Sequence, residues 1–216
     1  MKYRCLILDH DDTVVNSTAT VHYPSFVAYM EKYPPHYQCT LEEYFIRNFH
    51  GVVDFFRDYL GMTPEQMRQE QEFWNAFVQR VVPQAYPGIR DVLLRQKAEG
   101  GLICVVSHSY THNILRDYRE NSLPAPDLVF GWESPPHQRK PDPYPVRQIL
   151  AQYGLRPEEC LIVDDLKPGC DMARACGVPF AAAGWANDIG EIERFMRQNS
   201  DVYLKTVDEL AAYLFD

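Results

Sequence analysis

The sequence predicts an α/β fold: a parallel sheet covered by helices on both faces, with a helical block inserted after the first strand. Three observations carry this. From residue 87 onward short apolar runs alternate with helical stretches. A run of the same kind, Cys5-Leu6-Ile7-Leu8, stands alone near the start and is ended by acids. Between the two, residues from about 20 to 82 show helical spacing and no strand pattern. A single sheet interrupted once fits this order better than two tandem domains. Residues 1–17 and 84–216 are therefore expected to form the core, and 18–83 the insert.

Taken in order, the insert is rich in aromatics, Gln and Glu. Phe45, Phe49, Val52, Val53 and Phe56 recur at three- and four-residue steps, and Phe73, Phe77 and Val81 repeat every four. Pro34-Pro35 and Gly61-Met62-Thr63-Pro64 divide the block into about four helices, with Thr63 a candidate N-cap and Pro64 at the first helical position. After Pro87-Gly88, strands are expected at 102–106, 128–130, 160–163, 179–183 and 202–204. Helices are expected at 89–99, 111–119, 143–153, 168–176, 188–198 and 206–215, several of them ended by glycine. Residues 124–145 hold seven of the sixteen prolines and few charges, which predicts a long ordered loop.

Composition narrows the function. A chain of 216 residues with 46% hydrophobic and 24% charged residues is that of a globular protein with a sizeable core. The net charge of −9 disfavours nucleic-acid binding through general electrostatics. None of the six cysteines forms a CxxC pair, and Cys5, Cys104 and Cys160 fall inside apolar runs. Reduced thiols and a cytoplasmic location are expected. No apolar run approaches the length of a membrane span, so no membrane association is expected.

The chemistry is carried by acids at strand ends. Asp9, Asp11 and Asp12 follow the first strand directly, and Asp164-Asp165 follow the strand at 160–163. Ligands of a parallel α/β sheet bind at the carboxyl ends of its strands, so both clusters should share one edge. Each close carboxylate pair repels by about 1–4 kcal/mol, depending on screening. A set of oxygen-only ligands selects a hard cation, Mg²⁺ first. Ser107, at the end of the strand 102–106, and Lys140, in Lys140-Pro141-Asp142-Pro143, add a hydroxyl and an ammonium at the same edge. Together with a metal they would make an anion site, phosphate being the obvious anion. Walker A, GxSxG and HExxH motifs are absent, which removes the main support for nucleotide-loop, serine-hydrolase and zincin readings.

The order Asp-x-Asp-x-Thr after the first strand, Ser after the second, Lys-Pro-x-Pro in a loop and Asp-Asp after a later strand resembles the haloacid dehalogenase (HAD) superfamily. The stretch Asp164-Asp165-Leu166-Lys167-Pro168-Gly169, with Ala173, Ala175 and Gly177, resembles its phosphoglycolate phosphatase and β-phosphoglucomutase branch, and the helical insert resembles that branch's cap. The resemblance implies a Rossmann-like core and a Mg²⁺-dependent phosphatase acting on a small phosphorylated metabolite, as a monomer or homodimer. It implies Asp9 as nucleophile and Asp11 as acid and base. Asp9, Asp11 (through its carbonyl), Asp165 and Asp164 would hold the metal, and Ser107, His108 and Lys140 the phosphate.

The sequence departs from the family in three places. Asp12 stands where Gly is usual, His108 where Asn is common, and Leu166 where Ser is frequent. A phosphosugar mutase shares the first half-reaction and stays open. A receiver-type phosphorylation switch is disfavoured by length and by the insert. Phosphonate cleavage would need Lys32, the only lysine of the insert, as a Schiff base. Within the insert, His22, His36, His50, Arg47 and Arg57 are candidate substrate contacts. Each more readily reads as a solvated face, and His50-Gly51 is the best placed by pattern.

Overall fold

A computed structural model describes all 216 residues. Six strands form one parallel sheet: β1 (Cys5–Leu8), β2 (Leu102–Val106), β3 (Leu128–Phe130), β4 (Cys160–Asp164), β5 (Phe180–Ala183) and β6 (Val202–Leu204), in the order β3-β2-β1-β4-β5-β6. Four helices lie between β1 and the first core helix. They are α1 (Tyr23–Lys32), α2 (Leu41–Phe49), α3 (Val52–Asp54, continued as a π-helical turn over Phe55–Tyr59) and α4 (Pro64–Val78). The remaining helices are α5 (Ile89–Ala98), α6 (Thr111–Glu120), α7 (Tyr144–Tyr153), α8 (Lys167–Cys176), α9 (Gly190–Asn199) and α10 (Val207–Phe215). This is the expected α/β architecture with three layers. No helix is long and apolar enough to cross a membrane.

The central strands are buried on both faces, which is why they read as unbroken apolar runs instead of alternating patterns. Leu6 and Leu8 point to one face with Val92 and Leu93 of α5, Ile114 of α6 and Leu210 and Leu214 of α10. Cys5 and Ile7 point to the other, with Val146 and Ile149 of α7, Met172 of α8 and Ile192 and Met196 of α9. Each such Leu or Ile, fully withdrawn from water, contributes about 1.5–3 kcal/mol. All six cysteines are free thiols, and Cys5 Sγ lies 3.8 Å from Cys104 Sγ inside the second layer.

The insert has its own aromatic cluster, in which Phe26 packs against Tyr44, Phe55 and Phe56 at centroid distances of 4.9, 5.7 and 6.0 Å. Capping boxes start two of its helices: Thr40 with Glu43 before α2, and Thr63 with Gln66 before α4, where Pro64 opens the helix as expected. Helix α2 serves two cores. Tyr44 joins the aromatic cluster, whereas Phe45 and Phe49 join the second sheet layer, Phe49 packing edge-on against Phe195 of α9 at 5.3 Å.

One expectation is corrected. The Phe73–Phe77–Val81 spacing suggests a helix through Val81, but α4 ends at Val78. Val81-Val82-Pro83 explains this: β-branched residues disfavour the helix, and the residue before proline avoids it. Arg116 of α6 takes up the freed carbonyls, donating to Val78 O at 2.8 Å and Val81 O at 3.3 Å. It also pairs with Asp117, whose other oxygen meets His10 Nε2 at 3.0 Å in the loop after β1. Arg116→Ala is therefore expected to lower the unfolding free energy by about 2 kcal/mol. Urea denaturation reads this, and an unchanged midpoint would contradict the bridging role.

Candidate active site

The sheet changes direction at β1. The chain steps outward through β2 and β3, then returns to the other side of β1 as β4, leaving a crevice at the carboxyl ends of the two central strands. Register fixes what meets there. Leu8 pairs with Val163, and the Asp9 amide extends the ladder by donating to Val163 O at 2.9 Å, so Asp9 and Asp164 are level neighbours. Lys140 enters from the proline-rich loop with its ammonium buried between them, 2.7 Å from Asp9 Oδ1 and 2.8 Å from Asp164 Oδ2. One carboxylate oxygen each from Asp9, Asp164 and Asp165 fall within 4.8 Å of one another.

The electrostatics follow from burial. Desolvation pushes the Asp9 carboxyl up to about 7; Lys140 pulls it down, while Asp164 and Asp11 add to the rise. Asp165 is raised well above the usual carboxylate range by burial and then by Asp12, Asp164 and Asp9. Burial opposes the Lys140 charge, but Asp164 and Asp9 outweigh it and raise the ammonium pKa. The crevice holds more acid than one ammonium neutralises.

Asp11 is held from the opposite side by the insert. Burial alone would raise its carboxyl, but His22, then His10 and Ser109, hold it well below the usual range. His22 Nε2 lies 3.0 Å from Asp11 Oδ1, and Ser109 Oγ donates to Asp11 Oδ2 at 2.5 Å. Trp74 of α4 donates its indole N–H to His22 Nδ1 at 2.9 Å and stacks on the ring. An indole nitrogen only donates, so Nδ1 carries no proton and Nε2–H donates to Asp11. Burial lowers the His22 pKa and Asp11 gives it a net rise. The Trp74 bond works against that rise, because a second ring proton would leave the indole N–H unpaired. His22 closes a π-helical turn, Thr18–His22, a rare element often found at functional sites.

The remaining expected residues lie nearby. Asp12 adopts φ 56°, the left-handed conformation usually taken by glycine, and its Oδ1 accepts from the Thr18 amide at 3.2 Å. It ties the loop after β1 to the start of the insert, and burial raises its carboxyl to about 6. Ser107 is buried at the end of β2, where its Oγ accepts from the Ser109 amide at 3.1 Å. The His108 side chain lines the cavity, but Nε2 donates to the Lys140 carbonyl at 2.9 Å. Burial and Lys140 push that ring down to about 4, so it is neutral near pH 7. Leu166 lines the cavity, and its amide donates to Asp164 Oδ1 at 2.9 Å.

Of the candidates in the insert, only His22 reaches the acids. His50 and Arg57 are exposed, His36 bonds the Met30 carbonyl, and Arg47 stacks on Tyr59. Gly51 does line the cavity, without its neighbour His50. The sequence reading missed Ser109, Trp74 and Glu70, all of which border the same space, a cavity of about 150 Å³. The hydroxyls two residues apart at the end of β2 were the available hint for Ser109. Trp74 and Glu70 carried no local signal.

Residues 6–183 match the family profile described as haloacid dehalogenase-like hydrolase. The protein belongs to that family. Among solved structures, one described as a haloacid dehalogenase-like hydrolase from Bacteroides fragilis superposes with a TM-score of 0.82 at 22% identity, covering 97% of this chain and 100% of its own. A protein described as a phosphoglycolate phosphatase from Haemophilus somnus gives 0.78 at 18% identity over 99% of both chains. A CbbY variant from Rhodobacter sphaeroides, crystallised with xylulose bisphosphate, gives 0.73 at 18% over 96% of both. At these identities the likeness is one of fold. No curated protein matches the sequence.

The residues of this haloacid dehalogenase-like hydrolase fit a hard divalent cation. Asp9, Asp164 and Asp165 offer buried oxygens only, and Asp9 Oδ1, although paired with Lys140, has no aligned hydrogen bond. Gly169 of α8 makes room for this group. A Cβ there would lie 2.2 Å from Asp164 Cγ, so any side chain displaces the carboxylate. Gly169→Ala is expected to weaken Mg²⁺ binding at least about tenfold while helix content is retained. Calorimetric titration with Mg²⁺ reads this, and unchanged affinity would contradict the placement of Asp164 at the cation site.

Proposed function

We propose that the protein is a Mg²⁺-dependent phosphatase of small phosphorylated metabolites, acting through a phosphoryl group carried on Asp9. The observation that carries this reading is the pairing of two aspartates with different surroundings. Asp9 is buried beside the only ammonium of the crevice, and Asp11, two residues on, faces the same cavity held by His22 and Ser109. Residues 18–83 act as the cap over a core formed by 1–17 and 84–216.

Asp9, Asp164 and Asp165, with the backbone carbonyl of Asp11, would hold Mg²⁺, which when bound supplies positive charge against the phosphoryl oxygens. The Asp9 carboxylate attacks phosphorus in line, and the bond to the leaving alcohol breaks. Asp11 delivers a proton to the leaving oxygen. The surroundings of Asp11 favour its carboxylate, and the negative charge of a phosphate beside it raises its proton affinity when substrate is present. Asp11 then takes a proton from the water that attacks the phosphoryl group, inorganic phosphate leaves and Asp9 is restored. Lys140 offsets charge as it moves between Asp9 and the phosphoryl oxygens, and Ser107 offers its hydroxyl at the same strand edge. His108 contributes by holding the Lys140 segment through its carbonyl, since its Nε2 proton is committed there. His22 and Trp74 position Asp11.

Asp9→Asn is expected to lower kcat on the order of 10⁴-fold or more with an unchanged circular-dichroism spectrum. EDTA should abolish activity, and added Mg²⁺ should restore it. Product analysis should find inorganic phosphate. An isomeric phosphate ester in its place would indicate phosphoryl return to the substrate, and full activity of Asp9→Asn would remove the proposed nucleophile.

A further inference from the structure

The cavity that opens from the acid cluster toward the insert has an unusual charge inventory. Asp9, Asp11, Asp12, Asp165 and Glu70 line it, and the only Lys or Arg that does is Lys140. The Lys140 ammonium is engaged by two carboxylates. Both lining imidazoles are already committed within the protein: His22 lies between Asp11 and the Trp74 indole, and His108 donates to the Lys140 carbonyl. Every other cation near the insert is used elsewhere or turned outward. Arg47 bonds the Tyr59 hydroxyl, Arg57 pairs with Asp54 and Asp58, and Arg68 with Glu65 and Glu72. Lys32 lies over the Tyr33 ring, and Arg80 is exposed. Arg139 stacks on Trp132 and donates to the Ser134 carbonyl, and it does not line the cavity.

The end of the cavity that would receive the leaving group is built by the insert from Tyr44, Phe56, Asn48, Gln71, Trp74 and Glu70. Glu70 makes no hydrogen bond or ion pair within the protein. Burial pushes its carboxyl up to about 7, with His22 pulling the other way. Glu70 is half-buried at the cavity wall, so its carboxyl is open to a donor that enters the cavity. A second phosphate or a carboxylate on the substrate would meet aromatic faces and this acid, with no cation to receive it. Hydroxyl or ammonium groups would meet an acceptor beside ring faces that favour cations.

We infer that the substrate is a phosphate monoester whose leaving alcohol bears no second anionic group and is neutral or amine-bearing, seated between Glu70 and the rings of Trp74 and Tyr44. This rests on the phosphatase reading above and restricts it. It sets this chain's preference apart from the bisphosphate found with the CbbY structure, despite the common fold.

Matched pairs test it: ethanolamine phosphate against serine phosphate, and glycerol phosphate against phosphoglycerate. Each pair differs by a carboxylate, and p-nitrophenyl phosphate serves as a general phosphatase probe. With the full chain and Mg²⁺, kcat/KM should favour the carboxylate-free member of each pair at least about tenfold, equivalent to about 1.4 kcal/mol. Glu70→Lys should shrink or invert that ratio. Equal or faster turnover of the carboxylate-bearing members by the native protein overturns the inference. If no ester is hydrolysed, p-nitrophenyl phosphate included, the phosphatase reading fails. Calorimetric binding of the same pairs then decides this inference separately: tighter binding of the carboxylate-free members supports it, and tighter binding of their partners overturns it.

Discussion

The buried ammonium of Lys140, held between Asp9 and Asp164, is the interaction on which the rest of the site depends. A charge withdrawn from water is costly unless it is paired, and unpaired acids beside it would be costlier still. The sheet brings Asp9 and Asp164 level at adjacent strand ends, and the proline-rich loop delivers Lys140 to the point between them. His108 holds the carbonyl of Lys140, and the Leu166 amide holds Asp164. One ammonium does not balance the acids of the crevice, so the cluster retains an attraction for a divalent cation. The acidic total of the chain, net −9, thus includes a concentrated functional part. It is no argument against an anionic substrate at the phosphate end.

The second constraint is the attachment of the insert to the core. It is made through hydrogen bonds at one end and apolar packing at the other. Trp74 and His22 reach down to Asp11, and Arg116 reaches up to the last carbonyls of α4 while its neighbour Asp117 pairs with His10. Between these, α2 places Phe45 and Phe49 in the sheet's own core. The loop after β1 is therefore read by the insert on one side, at Asp11, and by α6 on the other, at His10. A displacement of the insert would be felt first at Asp11, the residue whose proton affinity the proposed chemistry uses.

Much of this was legible in the sequence, for physical reasons. Parallel strands buried on both faces must be apolar throughout, so Cys5–Leu8, Leu102–Val106 and the run from Cys160 stood out and fell where expected. The acids at their ends were visible because two such clusters fall on one sheet edge, whereas either alone would read as a turn or cap. Asp12 stands where glycine is usual and adopts the left-handed conformation that aspartate tolerates. The helix of α4 was read too long because a four-residue repeat ran on into Val81, past the point where Val-Val-Pro stops a helix. His22 was undervalued because its partners are remote in sequence: Asp11 precedes it by eleven residues and Trp74 follows by fifty-two. No periodicity reports such a meeting. Glu70 was hidden for the opposite reason, since a glutamate on an amphipathic helix ordinarily faces water.

The account stands on Asp9 as the atom that takes the phosphoryl group, with Lys140 and the neighbouring acids arranged to make that possible. The most direct measurement is an acid quench during turnover of a phosphate monoester, followed by peptide mass mapping. The account predicts a phosphoryl adduct on the peptide containing Asp9, appearing before inorganic phosphate and decaying as phosphate is released. Turnover with the adduct on another residue, or with none formed at any time, would contradict it.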